Sequence, residues 1–204
     1  MAKIKLTKTE LKAQRDALKR FSRYLPTLQL KKQQLQMETR RVLDELATLA
    51  AEEDAYRGRL GAWISVLDEK WARHLEESMT VTRYETTVRN VAGVDTPVFV
   101  ALEFAPAQVD LFTTPIWFDD VLGAARQLAE LTLRRQLLQE QAEALETELR
   151  TTTQRVNLFE KVKIPEAGDN IRRIQIYLGD AQTSAVGRAK IAKRKSQARE
   201  NVSQ

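Results

Sequence analysis

The sequence predicts a mainly α protein: a long antiparallel two-helix coiled coil formed by N- and C-terminal arms, with a small middle head containing a short β-hairpin. Three observations predict it. Two heptad rows run through the first third of the chain, two more run through the last third, and between them the apolar period shortens to that of strands. The parts are expected at 1–78 for the first arm, 79–114 for the head and 115–204 for the second arm, which carries a bend near 165 and a basic tail.

In the first arm one row holds Ile4, Leu11, Leu18, Leu25, Lys32, Thr39 and Leu46, and the other Thr7, Gln14, Phe21, Leu28, Leu35, Val42 and Leu49. Such interleaved rows make a coiled-coil seam, and the polar members Gln14, Lys32 and Thr39 lower its stability but can fix its register. Pro26 costs ~3 kcal/mol inside a helix. The seam nevertheless keeps its phase from Leu25 to Leu28, which reads as one kinked helix. Trp63, Leu67, Trp71 and Leu75 keep helical spacing, so the helix is expected to continue past Gly58 and Gly61.

The head begins where β-branched residues gather. "TVTRYETTVRNV" (Thr80–Val91) and "PVFVALEF" (Pro97–Phe104) read as strands, and "AGVDT" between them as a longer hairpin loop. A lone hairpin is barely stable in water. It is expected to pack on the nearby aromatics Trp63, Trp71, Phe112, Trp117 and Phe118.

The second arm opens at "TTPIWFDD", with Thr114 as N-cap and Pro115 at the first helical position. Leu131, Leu138, Leu145, Thr152 and Phe159 form one row; Leu128, Ala142, Leu149 and Val156 form the other, where Arg135 intrudes. After Pro165 the pattern resumes as Ile171, Ile174, Leu178, Ala181 and Ala185, one residue out of phase. Something bends there. If the chain does not reverse, the two arms match in length at roughly 100 Å or more each, from a rise of ~1.5 Å per residue, and pair antiparallel.

Composition agrees: 7 Gly and 5 Pro in 204 residues are few, and Leu, Ala, Gln, Glu, Lys and Arg dominate. The absence of cysteine excludes disulfides, thiolate metal sites and thiol catalysis. No apolar run approaches the ~20 residues of a membrane span, so a soluble chain on the cytoplasmic side is expected, without direct membrane insertion. The net charge of +5 hides a polarity: residues 1–24 and 172–204 each carry eight basic and two acidic side chains, so the middle is acidic. Folding that joined the ends would make one basic pole.

Catalytic chemistry is sparse. No GxxxxGK[ST], GxGxxG or HExxH occurs, and the single histidine, His74, reads as a packing residue beside Trp71. Asp119 and Asp120 suit a helix's first turn, where they complement its dipole, and Glu52, Glu53 and Asp54 read as a solvated face. No cofactor or metal is expected. "GRAKIAKRKSQAR" (Gly187–Arg199) could meet phosphates, but no nucleic-acid motif accompanies it, and as a membrane-surface helix its apolar face is weak. A solvated tail, or a tail that enters a partner's cavity, are the other readings.

One segment carries a family resemblance. "QRVNLFEKVKIPEAGDNIRRIQIYL" (Gln154–Leu178) resembles the signature of the D subunit of the V-type and A-type rotary ATPases, through Arg155, Val156, Asn157, Glu160, Ile164, Pro165, Ile171, Ile174 and Leu178. Lys12, Leu18 and Lys19 lie in a Lys/Leu-rich first helix like the family's, whereas the acidic run that follows the signature in better-known members is replaced by "GDAQTSAVGRAKIAKRK". The resemblance implies a non-catalytic central rotor axle. Its open end would enter the hexamer of catalytic A and B subunits, with Lys3, Lys5, Lys8, Arg188, Lys190, Lys193 and Arg194 facing them. Its head, through Val81, Tyr84, Val98, Phe99 and Val100, would dock the F subunit, near the socket subunit above the membrane ring. The rival readings are a free-standing structural coiled coil and a basic nucleic-acid-binding helical protein.

Overall fold

The structure is a computed structural model and describes residues 4–64, 68–107 and 114–202. In order it contains α1 (Lys8–Ile64), α2 (Glu69–Ser78), β1 (Val81–Val91), β2 (Val94–Phe104), α3 (Phe118–Leu158), a π turn (Phe159–Lys163) and α4 (Ile164–Val202). The long N-terminal helix packs against the long C-terminal helix, and β1 and β2 form a central antiparallel hairpin. Two compact units result, one of residues 1–30 with 152–204 and one of 31–151.

The first unit joins the two chain arms. Thr7 caps α1: its Oγ1 accepts from Glu10 N–H at 3.2 Å and its carbonyl from Leu11 N–H at 3.0 Å. Along α1 the half-buried positions include Leu11, Gln14, Leu18, Phe21, Leu25 and Leu28, the expected seam. Against it α3 and α4 bury Thr152, Val156, Ala167, Asn170 and Ile174. Phe21 meets Phe159 with ring centroids 5.1 Å apart. Pro26 lies inside α1, which runs through it as one helix.

The phase change near Pro165 is a widened turn and not a reversal. Ile164 N–H donates to Phe159 C=O, five residues back. A π turn takes up about one residue more than an α turn, so the seam residue after Phe159 is Ala167, eight positions on. Pro165 lacks an N–H and its ring crowds the carbonyl four residues earlier. Opening the turn just ahead of it relieves that conflict.

The second unit holds the hairpin. Leu35, Val42, Ala142 and Leu145 form the core between α1 and α3, and Val91, Ala92 and Val94 pack on it from the hairpin's turn. The hairpin does pack on something, as expected, and at its turn that surface is the core of the helix pair. Trp71, His74, Trp117 and Phe118 instead pack on one another, with Phe118 fully buried and its ring 5.1 Å from that of His74. Phe112 and the Trp63 side chain lie outside the described residues.

Three boundaries also differ from expectation. The hairpin closes through two residues, Ala92 (φ 51°) and Gly93 (φ 84°), and not a longer loop. Paired left-handed residues give the turn whose twist suits right-handed strands. β2 therefore starts at Val94, and Pro97 sits within it opposite Val88, on a sheet of only two strands where an edge can spare an N–H. α1 does continue past Gly58 and Gly61, to Ile64, but Asp68 starts a new helix, accepting from Trp71 N–H at 3.0 Å, so Trp71 and Leu75 belong to α2. α3 begins at Phe118, whose N–H bonds Pro115 C=O at 3.0 Å, so Thr114 and Pro115 belong to a turn ahead of the helix. Asp119 and Asp120 do occupy its first turn.

Candidate interaction surfaces

The basic side chains of α4 lie on an exposed stretch of helix. Counting outward from the Phe21–Phe159 contact, the antiparallel neighbours of Ile4 lie near Ile176, and from Gly179 to Gln197 every residue of α4 is exposed. Arg188, Lys190, Lys193 and Arg194 lie on this stretch, with Val186 and Ile191 also open to solvent. Lys5 and Lys8 are exposed on the other arm of the same unit. Lys3 lies outside the described residues.

The signature around the π turn divides by role. Val156 and Ile174 are buried in the seam, and Ile164 and Ile171 are half-buried. Arg155, Asn157, Glu160 and Pro165 are exposed. The apolar members thus hold the arms together, and the polar ones face outward.

In the second unit the hairpin presents Val81, Tyr84 and Val100, each about half exposed. Val98, Phe99 and Val100 also line an open cleft of about 980 Å³, shared with Met37 and Leu49 of α1 and Leu138 of α3. Polar contacts hold the hairpin to α3 at the cleft and beyond it. Gln141 Nε2 donates to Pro97 C=O, and the Arg134 guanidinium lies 4.8 Å from the Phe99 ring centre. Arg126 Nη2 donates to Ser78 C=O at 3.0 Å and Ala105 C=O at 2.7 Å, tying the ends of α2 and β2 to α3.

Glu52 and Asp54 are exposed, as the reading of a solvated face expects, but Glu53 between them is not. Its side chain has no exposed surface. Its Oε1 accepts from Thr132 Oγ1 at 2.8 Å and meets Arg57 Nη2 at 2.6 Å, and its Oε2 accepts from Arg135 Nη1 at 3.0 Å. Burial pushes this carboxyl up, but the hydrogen bonds from Arg135 and Thr132 and the charges of Arg57 and Arg135 outweigh it and hold it below its ordinary value. A sequence signal existed. Continuing the row of Ile4 to Leu46 by one heptad lands on Glu53, and Arg135 is the charged intruder in the opposing row. Two seam charges of opposite sign call for each other.

Among the described residues no group of three or more His, Cys, Asp or Glu could hold a metal ion, and no helix is long and apolar enough to cross a membrane.

Comparison with known proteins gives the chain's family. The family model described as the ATP synthase D subunit matches residues 10–194. The V-type ATP synthase D subunit of Borreliella burgdorferi is 44% identical over 193 residues, covering 95% of both chains. That of Chlamydia muridarum is 34% identical over 197 residues, covering 96% of this chain and 97% of its own. That of Chlamydia caviae is 32% identical over 204 residues, covering 100% and 98%.

Proposed function

The chain belongs to the ATP synthase D-subunit family and is a non-catalytic central-stalk component of a rotary ATPase, a premise from which we propose how its surfaces divide the work. The basic end made by α4, with Lys3, Lys5 and Lys8 of the first arm, enters the ring of catalytic A and B subunits. The hairpin and its cleft dock the F subunit, and the same region reaches the socket subunit that sits over the membrane ring. The complex works on the cytoplasmic side, with this chain peripheral to the membrane.

The observation that supports this most directly is the stretch Gly179–Gln197, helical and exposed on all sides, with its basic side chains unshielded by a second helix. A pair of unequal helices has no threefold symmetry, so three surrounding catalytic interfaces meet three different faces of it. Each interface can be biased between open and closed states only by the difference in its contact free energy with those faces; ~1.4 kcal/mol changes the ratio tenfold. Turning the stalk passes the bias around the ring. Exposed ion pairs contribute ~0–1 kcal/mol each, which suits a bearing that must slide. Replacing Arg188, Lys190, Lys193 and Arg194 together by Glu is expected to impair assembly or ATP-driven ion transport in membrane vesicles. Normal assembly with normal transport refutes the assignment.

A further inference from the structure

Most of the seam between α1 and α3 is repetitive. Leu, Val and Ala at heptad spacing pack almost as well after a slide of one heptad, because each knob then meets an equivalent hole. Glu53 departs from this as a fully buried charge, where the Lys31–Glu148 pair across the same helices is partly exposed. Both its oxygens are engaged by α3, one by Thr132 and one by Arg135, while Arg57 braces it from its own helix. One heptad away along α3, the positions equivalent to Arg135 are Leu128 and Ala142. Neither offers a cation, and Thr132 is replaced by Ala125 in one direction and by the neutral donor Gln139 in the other, so a slipped pair would leave the carboxylate without a charged partner from α3, a disfavoured state.

We propose that the Glu53–Thr132–Arg135 node is a register pin that holds α1 and α3 against axial slip. Its effect is specificity of alignment and not simply added stability: an all-apolar replacement of a buried ionic cluster is often as stable as the original. In the stalk reading, which this consequence rests on, load carried by one helix passes to the other at the pin.

The chain has no cysteine, so alignment can be read in the full-length chain without background. Lys31 and Glu148, which touch at 2.6 Å, mark the native alignment when both are changed to Cys and joined by a short bis-maleimide. Lys31→Cys with Arg155→Cys marks a slide of one heptad. In the triple variant Glu53→Leu, Thr132→Val, Arg135→Leu, the slipped product is expected to rise at least about tenfold, the least that losing one buried charge-assisted hydrogen bond would give. Glu53→Gln, whose remaining oxygen can accept from Arg135 while its amide N–H donates to Thr132 Oγ1, is expected to stay aligned. Should the triple variant fail to fold, Arg135→Met is read in its place, with the same rise expected. A variant without the pin that still gives only the native product overturns the proposal. The measurement uses the isolated chain, so its failure leaves the stalk assignment untouched.

Discussion

Leu145→Ala tests whether the hairpin and the helix pair share one core. Leu145 has no exposed surface and lies with Leu35, Val42 and Ala142 beneath Val91, Ala92 and Val94. Truncation removes three carbons, or ~2.4 kcal/mol at ~0.8 per methylene-sized group. A residual cavity of ~40 Å³ adds ~1 kcal/mol. A two-stranded sheet can settle into part of that space, so the expected loss is about 3 kcal/mol, against less than ~0.5 kcal/mol for Val88→Ala on the exposed face. Urea unfolding followed by circular dichroism gives both numbers. Amide exchange should show β1 and β2 losing protection together with α3. A loss under ~1 kcal/mol, or a hairpin that keeps its protection, refutes the shared core.

Two further outcomes concern charge and backbone. Because the folded state depresses the Glu53 carboxyl, the stability it contributes is present above its ordinary value of 4.5 and is lost as pH falls through the lower folded value. The gap in urea midpoint between the native chain and Glu53→Gln is therefore expected to stay level from about pH 5 to 8 and to close under more acid conditions; a gap that changes mainly above about pH 6 contradicts the geometry. At the hairpin turn, a Cβ on Gly93 would meet only Lys31 Nζ at 3.8 Å, so Gly93→Ala costs chiefly the left-handed backbone, ~1–2 kcal/mol. Ala92→Gly relieves the same strain next door, and thermal unfolding should rank the two variants in opposite directions from the native chain.

The seam is legible because heptad spacing is a long-range signal: seven-residue rows through Leu11, Phe21 and Leu28 survive Pro26, whose local preference points the other way. The phase slip after Phe159 is legible too, although Pro165, the residue that marks it, signals a bend without saying that a turn closed five residues apart makes it. Short-range features are harder. Ala92 is a poor marker for a left-handed turn position, so "AGVDT" resembles a long loop, and Pro97 resembles a strand's start when the edge of a two-stranded sheet tolerates it inside. Thr114–Pro115 carries the chemistry of a helix start, yet the chain makes one more turn before Phe118. Glu53 hides because a row that reads clearly to Leu46 then meets a charge, and an acid between two acids resembles a wetted surface.

The uncovered part of α4 has a thermal consequence. From Gly179 to Gln197 no residue is shielded from solvent, so its backbone bonds rest on neighbour-to-neighbour cooperation alone, with Gly179 and Gly187 each weakening the run by ~1 kcal/mol relative to alanine. On warming, that tip should unwind by the helix–coil law, shortening from its end over tens of degrees, while the paired portions melt in sharper transitions. A calorimeter would register it as a sloping pre-transition baseline, and seating the tip in a partner's cavity would flatten that slope.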